Sequence, residues 1–296
     1  MSEPQTAGFG PRDLAVVLVM NLLWGFNIIA VKMAVEEIAP LTAGFLRQAM
    51  VLAVCAGALR IVPGRMRALL ALGLLNGGLF YVATNLSLVV ADNVAALAIA
   101  GQLGVPFSML LAIVVFRERI HGPRIGGILL AFVGVGLLVF DPAAAKEGPG
   151  LALTAVGSFI WAVSSLIQRE LRGVAVLTIY AWVGLLGSVV MGGLAWVFEP
   201  AAVRAIPDLR LGTLGWVAFS AIGSTVLGQG AMVWLLARHP VSTVTPLTLA
   251  APVVAVFAAA YWFDTPPGPA MLAGGAVAML GVAIVTIRTA RAEDHS

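Results

Sequence analysis

Ala100-Gly101-Gln102-Leu103-Gly104-Val105-Pro106 and Pro246-Leu247-Thr248-Leu249-Ala250-Ala251-Pro252 each bury a proline in a long apolar run. Pro252 follows Pro106 by 146 positions, and the same step carries Gln102 to Thr248, Phe116 to Trp262, Glu118 to Asp264, and Gly122-Pro123 to Gly268-Pro269. A proline inside a helix removes a donor and frees the carbonyl four residues back, here those of Gln102 and Thr248. In lipid such a carbonyl is tolerated only where protein or a wet cavity satisfies it. Two breaks at corresponding places in two halves of a membrane chain point to a solute site near the midplane, with Pro106 and Pro252 as its hinges or gates.

Outward from these runs the chain is almost wholly apolar. Of its 296 residues 60% are hydrophobic and 10% charged, against roughly 25% charged in a soluble domain. Uncharged stretches occupy 68–91, 93–116, 148–168, 173–198, 211–237, 240–263 and 265–287. Each reaches the ~20 residues a spanning helix needs. Shorter runs at 14–31 and 125–140 extend into their flanks, and 41–59 spans while carrying Arg47. The expectation is an all-α polytopic membrane protein of ten transmembrane helices. The first run lacks a small-residue cleavage pattern and is expected to remain as helix 1. One cysteine, Cys55, within a helix gives neither a disulfide nor a metal framework, so no metal or cofactor is expected. The net charge of +3 does not point to nucleic acid.

Basic residues sort by loop. With the N-terminus on the cytoplasmic side, Arg12, Arg60, Arg65, Arg67, Arg117, Arg119, Arg124, Arg169, Arg172, Arg238, Arg288 and Arg291 flank the cytoplasm, which is 12 of the 17 basic residues. Lys146, Arg204 and Arg210 fall on the other side, and Lys32 and Arg47 within helices. That bias places both termini in the cytoplasm. The halves are read as 1–141 and 150–296, joined by a short polar connector. Five helices per half turn the second upside down relative to the first. The offset is 137 in the first helix of each half and 146 from the third onward, the longer 199–210 loop absorbing the difference.

Polar residues mark candidate site positions. At about 100° per residue, Asn21, Trp24, Ile28 and Lys32 share one face of helix 1, and Ser158, Trp161, Ser165 and Gln168 one face of helix 6. Tryptophan favours the membrane interface, so Trp24 and Trp161 at mid-helix suggest a cavity wall; packing with serines bonded to their own backbone is the plainer reading. Helix 3 supplies Tyr81 and Asn85, helix 8 supplies Gln229, and Gln102 and Thr248 sit at the breaks. Interhelical hydrogen bonding competes with substrate contact at each. Lys32 and Arg47 are intramembrane cations, functional by default. The alternatives are that Lys32 snorkels outward and that Arg47 pairs with Glu36 or Glu37. His121, His239 and His295 fall in loops or the tail, and no carboxylate lies deep in a helix, so no proton relay is legible.

Trp24-Gly25-Phe26-Asn27 with Lys32 downstream, Arg47 in helix 2, Phe116-Arg117-Glu118-Arg119 closing helix 4 and a glycine-rich helix 5 together resemble the EamA-type branch of the drug/metabolite transporter superfamily. The resemblance covers essentially the whole chain; in the second half Trp161 is kept, and Phe263-Asp264 replaces the acidic turn. It implies a basket in which helices 1, 3, 4, 6, 8 and 9 surround a central cavity and helices 5 and 10 are peripheral. It also implies export of amino acids, other small metabolites or drugs across a bacterial inner membrane, by a monomer or homodimer in the lipid bilayer. In that reading Trp24, Tyr81 and Trp161 give apolar contact, and Asn21, Asn85, Gln102, Ser158, Gln229 and Thr248 line or bond. Lys32 and Arg47 would then attract a carboxylate near the outer gate.

A membrane enzyme would need a nucleophile–base pair or clustered acids facing a cavity, and the helices contain neither. A structural or accessory membrane protein would lack a continuous polar cavity. A channel would need a charged ring or carbonyl filter, and direct ATP drive a P-loop; neither is present in the sequence. The topology makes a direct prediction: single cysteines at Ala145 and Ala292, in a Cys55-free background, react with an impermeant thiol reagent from opposite sides of the membrane. Reaction of both from one side defeats the ten-helix arrangement.

Overall fold

The computed structural model describes residues 10–116, 122–137, 144 and 146–293. The sequence readings at Arg117, Glu118, Arg119, His121 and His295 lie outside the described residues. Regular structure among the described residues is helical throughout. Nine helices there are long and apolar enough to cross a bilayer, and a shorter apolar helix follows the fourth. They are α1 (Pro11–Glu37), α2 (Pro40–Ala58), α3 (Met66–Val90) and α4 (Val94–Ala100, then Gly104–Phe116 past a tight turn). Then follow α5 (Gly122–Leu137), α6 (Gly148–Arg169), α7 (Val176–Phe198) and α8 (Leu211–Leu236). The last two are α9 (Val241–Leu247, then Ala250–Trp262) and α10 (Pro269–Glu293). The chain is a multi-pass membrane protein, as the apolar runs foretold.

Local chemistry sets the helix ends. Pro11, Pro40, Pro149 and Pro269 stand in first turns, where a missing N–H costs nothing. The Asn93 side chain caps α4 by accepting from the Ala96 N–H at 3.1 Å. Between α7 and α8 the longer second-half loop is ordered, holding a short helix at Pro200–Arg204 and a tight turn at Ile206–Asp208.

The pairing of helices expresses the repeat. α2 packs on α7 and α5 on α10, each helix against its own counterpart. α1 packs on α9 and α8, while α6 packs on α4 and α3. Exchanging the halves maps α1·α9 onto α6·α4 and α1·α8 onto α6·α3. The α2·α7 and α5·α10 pairs therefore straddle the pseudo-symmetry axis. The helix breaks obey the same relation. α3 is π-helical at Gly73–Leu79 and α8 at Phe219–Gly228, and 146 positions separate the two starts. α4 tightens at Gly101–Leu103, and α9 breaks at Thr248 and Leu249.

α5 and α10 meet backbone to backbone because Gly134 and Gly281 have no side chains. A Cβ on Gly134 would strike the Ala278 backbone, whereas one on Gly136 would meet nothing within 4 Å. Overpacking of this kind costs about 1–3 kcal/mol. Gly134→Val should therefore lower the detergent melting temperature and the yield of monodisperse protein, and Gly136→Val should leave both near the parent. Equal melting of the two variants would show that the α5–α10 contact is loose.

Candidate functional site

Between the halves lies a cavity of about 350 Å³, within the range of small-molecule sites. α1 lines it with Trp24 and Ile28, α3 with Phe80, Thr84, Ser87 and Leu88, and α6 with Thr154, Ser158 and Trp161. α4 contributes Leu97, Ala98, Gly101, Gln102, Gly104 and Val105, and α9 contributes Ala251, Pro252 and Ala255. The tight turn in α4 makes room for a wall: Trp161 rests on Gly104, where a Cβ would lie 2.8 Å from ring atom Cε3. Trp24 is fixed from behind, its Nε1–H donating to the Ser224 carbonyl of the α8 π segment at 3.1 Å. Ser158 Oγ donates to Gly101 O at 3.3 Å, and Ser87 Oγ to Thr84 O at 2.8 Å. Thr154 Oγ1 is buried without a hydrogen-bond partner. The Gln102 amide reaches Ala98 O at a long 3.5 Å. No lining residue is ionisable. The site can enclose a small solute, stack rings on it and offer a few neutral hydrogen bonds.

Of the residues singled out from sequence, Trp24, Gln102, Ser158, Trp161 and Pro252 come together in this lining. The others are placed elsewhere. Asn21 Nδ2 folds back onto Val17 O at 2.8 Å, and Asn85 Nδ2 bonds Pro40 O at 2.8 Å. Thr248 Oγ1 donates to Thr245 O at 2.7 Å. Gln229, half-buried, and Pro106, buried beside Val105, are not in the lining. The Thr248 carbonyl, expected to be free, accepts the Ala251 N–H at 3.1 Å. Tightening to a three-residue bond absorbs the proline's missing donor within the helix itself. α8, implied as a wall of the cavity, supplies no lining residue and instead backs Trp24.

Arg47 and Tyr81 form a separate cluster with α8. The guanidinium lies 3.9 Å from the centre of the Tyr81 ring, a cation–π arrangement. Its Nε donates to Ser220 Oγ at 2.9 Å and its Nη2 to Thr225 Oγ1 at 2.5 Å. Ser220 Oγ in turn donates to Asn27 Oδ1 at 2.8 Å. The next residue, Gln48, is fully buried and donates from Nε2 to Gly77 O at 2.9 Å. Adjacent residues of α2 thus hold the two π segments, Arg47 that of α8 and Gln48 that of α3. Pairing of Arg47 with Glu36 or Glu37 does not occur: Glu36 sits 3.5 Å from Lys32 Nζ, and Glu37 accepts from Thr213 Oγ1.

At the end of the bundle where α1 gives way to α2, charged groups are bonded to helix ends. Lys32 does not snorkel: its Nζ donates to Leu88 O at 2.9 Å and Ala91 O at 2.8 Å, at the carbonyl end of α3, where a cation is favoured. Glu199 accepts from the Leu41 and Thr42 amides and from Thr42 Oγ1, at 3.0, 2.7 and 2.8 Å, capping α2 from α7. Glu147 accepts from the Asp92 and Asn93 amides at 3.1 and 3.0 Å, capping α4. Beneath these bonds one apolar cluster joins α1, α2, α3, α4, α8, α9 and α10, with Ile29, Val94 and Ala259 at its core. Sequence reasoning passed over Phe80, Thr154, Gln48, Glu147 and Glu199. Gln48 carried a signal, since a polar residue within a span is costly in lipid; the two glutamates looked like ordinary loop residues.

The EamA-like transporter family model matches residues 13–140 and again 148–287. A probable amino-acid metabolite efflux pump of Escherichia coli (strain K12) is 25% identical over 287 residues, 92% of this chain and 94% of the relative. Its namesake in Salmonella typhimurium is 26% identical over 92% of this chain and 94% of the relative. An uncharacterized transporter of Archaeoglobus fulgidus is 28% identical over 91% and 97% of the two chains. A solved crystal structure 20% identical in sequence superposes with a TM-score of 0.63 over 95% of this chain and 99% of its own, a likeness of fold.

The Arg47 cluster yields a test. Lysine keeps the charge and loses the fork that reaches Ser220 and Thr225 together. Arg47→Lys should destabilise the detergent-solubilised protein by about 1–3 kcal/mol, the cost of leaving buried polar groups unmet. An unshifted thermal melt would mean that the guanidinium does not tie α2 to α8.

Proposed function

Since the chain belongs to the EamA-like transporter family and is a membrane transporter rather than an enzyme, we propose that it exports small metabolites, amino acids or related solutes, across the bacterial inner membrane by alternating access. The observation that carries this reading is the cavity itself: it lies between two pseudo-symmetric halves, is drawn from both, and is sized for one small molecule. Trp24, Phe80 and Trp161 hold the apolar part of the solute, and Thr84, Gln102, Thr154 and Ser158 its polar groups. The names of the two bacterial relatives support the amino-acid class. Both termini are cytoplasmic in this reading, by the arginine bias, so the charged bonds around Lys32, Glu147 and Glu199 close the outer face. The state described is then closed to the outside.

The first experiment is a counterflow screen in reconstituted vesicles, with amino acids, their uncharged amide derivatives, nucleosides, sugars and cationic dyes as solutes. A hit among neutral amino acids or their derivatives is expected, and Trp161→Ala should cut it by about tenfold or more, as loss of a stacking wall does. A protein that moves none of these solutes would defeat the reading.

The closed face is tested by labelling. A cysteine at Thr84, in a Cys55-free background, should react with an impermeant reagent from the cytoplasmic side and little from outside. Adding Glu147→Ala and Glu199→Ala should raise the outside rate. Equal rates from both sides in the starting protein would remove the outer seal.

With no carboxylate or imidazole in the lining, transport is proposed to run as facilitated diffusion or exchange. An imposed pH difference should not drive accumulation. Accumulation that is lost in Lys32→Met would make Lys32 a proton carrier and reverse this point.

A further inference from the structure

Another cavity, of about 260 Å³, lies between α4, α9 and α10. Gln102 and Pro252 line both cavities and stand between them. Apart from the Gln102 amide the second lining is apolar, with Ile99, Val256, Met271 and Met279 among it. Three of its residues, Val253, Phe257 and Leu272, are 44%, 57% and 44% exposed on spanning helices. In a bilayer those faces meet hydrocarbon.

We propose that this cleft is a lateral portal, through which an uncharged, lipid-soluble solute passes between the bilayer and the central cavity. The proposal rests on the transport reading above and adds a route and a substrate class to it. The partition is the least regular part of both helices. α4 turns tightly at Gly101–Leu103, and α9 has just resumed after its break when it reaches Pro252. The Gln102 side chain is held by a single long bond to Ala98 O, so its rotation costs little. Met271 and Met279, unbranched and adaptable, flank the path.

The chemistry of the cleft selects the solute that uses it. It offers no ionisable side chain, and an ion that enters such low-dielectric surroundings without a partner is strongly disfavoured. An uncharged solute with an aromatic or aliphatic body and one or two hydrogen-bonding groups meets no such barrier. Its body would lie against Trp24, Phe80 and Trp161, and its polar group would meet the Gln102 amide.

Ala276 lines the portal from its lipid side and not the central cavity; Ala273, exposed on the same helix, lines neither. The test compares Ala276→Trp with Ala273→Trp in vesicles, each counted above empty vesicles, using uncharged N-acetylphenylalanine amide and zwitterionic phenylalanine. Ala276→Trp should lower transport of the amide by about tenfold, and Ala273→Trp should leave it at the parental rate. Equal amide transport in the two variants overturns the portal while leaving the transport reading intact. Preference of the parent for phenylalanine over the amide overturns the substrate class. A parent that moves neither these solutes nor any in the wider screen overturns the transport reading itself. An aryl diazirine dissolved in the bilayer gives a readout independent of any variant: in the parent protein it should label Phe80 or Thr84 inside the central cavity, in competition with the amide. Labelling that stops at Val253 and Phe257 rejects the portal.

Discussion

In hydrocarbon every backbone amide and carbonyl must find a partner inside the protein, and the polar residues of this chain are distributed accordingly. Lys32 closes the carbonyl end of α3; Glu147 and Glu199 close the amide ends of α4 and α2. Arg47 and Gln48 meet the π segments of α8 and α3, where the regular ladder of hydrogen bonds is interrupted. These groups are costly in lipid, and each is located where the backbone would otherwise be left unmet. The cavity follows from the remainder. Its walls are built from residues that need no ionic partner, which is why it is uncharged although the chain carries two cations within its spans.

The pseudo-symmetry explains why the breaks come in pairs, and the departures from it define the site. Trp24 and Trp161 are equivalent in sequence, yet Trp24 is bonded from behind by the Ser224 carbonyl of α8, while Trp161 lies flat on Gly104 of α4. One is backed by a π segment and the other by a tight turn. α3 and α6 therefore open onto the cavity together, and α8, counterpart of α3, is left behind Trp24. In this structure the two equivalent halves are thus used unequally, α3 lining the cavity and α8 backing one of its walls.

The fold was legible because its determinants are local. Runs of about twenty apolar residues and prolines 146 apart are each visible without coordinates. Trp24, Gln102, Ser158, Trp161 and Pro252 were legible for the same reason: a helical stripe or a repeat points at them. Partners of polar side chains were not. Lys32 bonds backbone carbonyls 56 and 59 residues away, and Arg47 bonds a serine 173 residues away. Carbonyls belong to every residue and leave no mark in composition. Asn21 and Thr248 were misplaced by the opposite effect, since each bonds its own helix within four residues. The π segments have no side-chain signature to read; the glycines near them were seen only as close-packing residues.

The two sets of charged contacts differ in what it would cost to break them. Lys32 and Glu147, buried like Arg47, and Glu199 act at helix ends, and Glu36, the acid beside Lys32, is 45% exposed at its side chain. If that face opened, water would take over their hydrogen bonds, and the net cost of each would be about 1.5–3 kcal/mol, as for hydrogen bonds to charged groups. Arg47 is 5% exposed and meets hydroxyls, a carbonyl and a ring; among the described residues no carboxylate pairs with it. Pulling a buried guanidinium from its partners without hydration leaves an unmet charge, a cost of several kcal/mol. In the proposed alternating-access cycle the face that opens would be held by the first kind of contact and the fulcrum by the second. α2 carries Arg47 and packs on α7 beside the pseudo-symmetry axis, where displacement would be smallest if the two halves rocked against each other. The buried charge would then sit where the least movement is asked of it, and the exchangeable bonds where the most is.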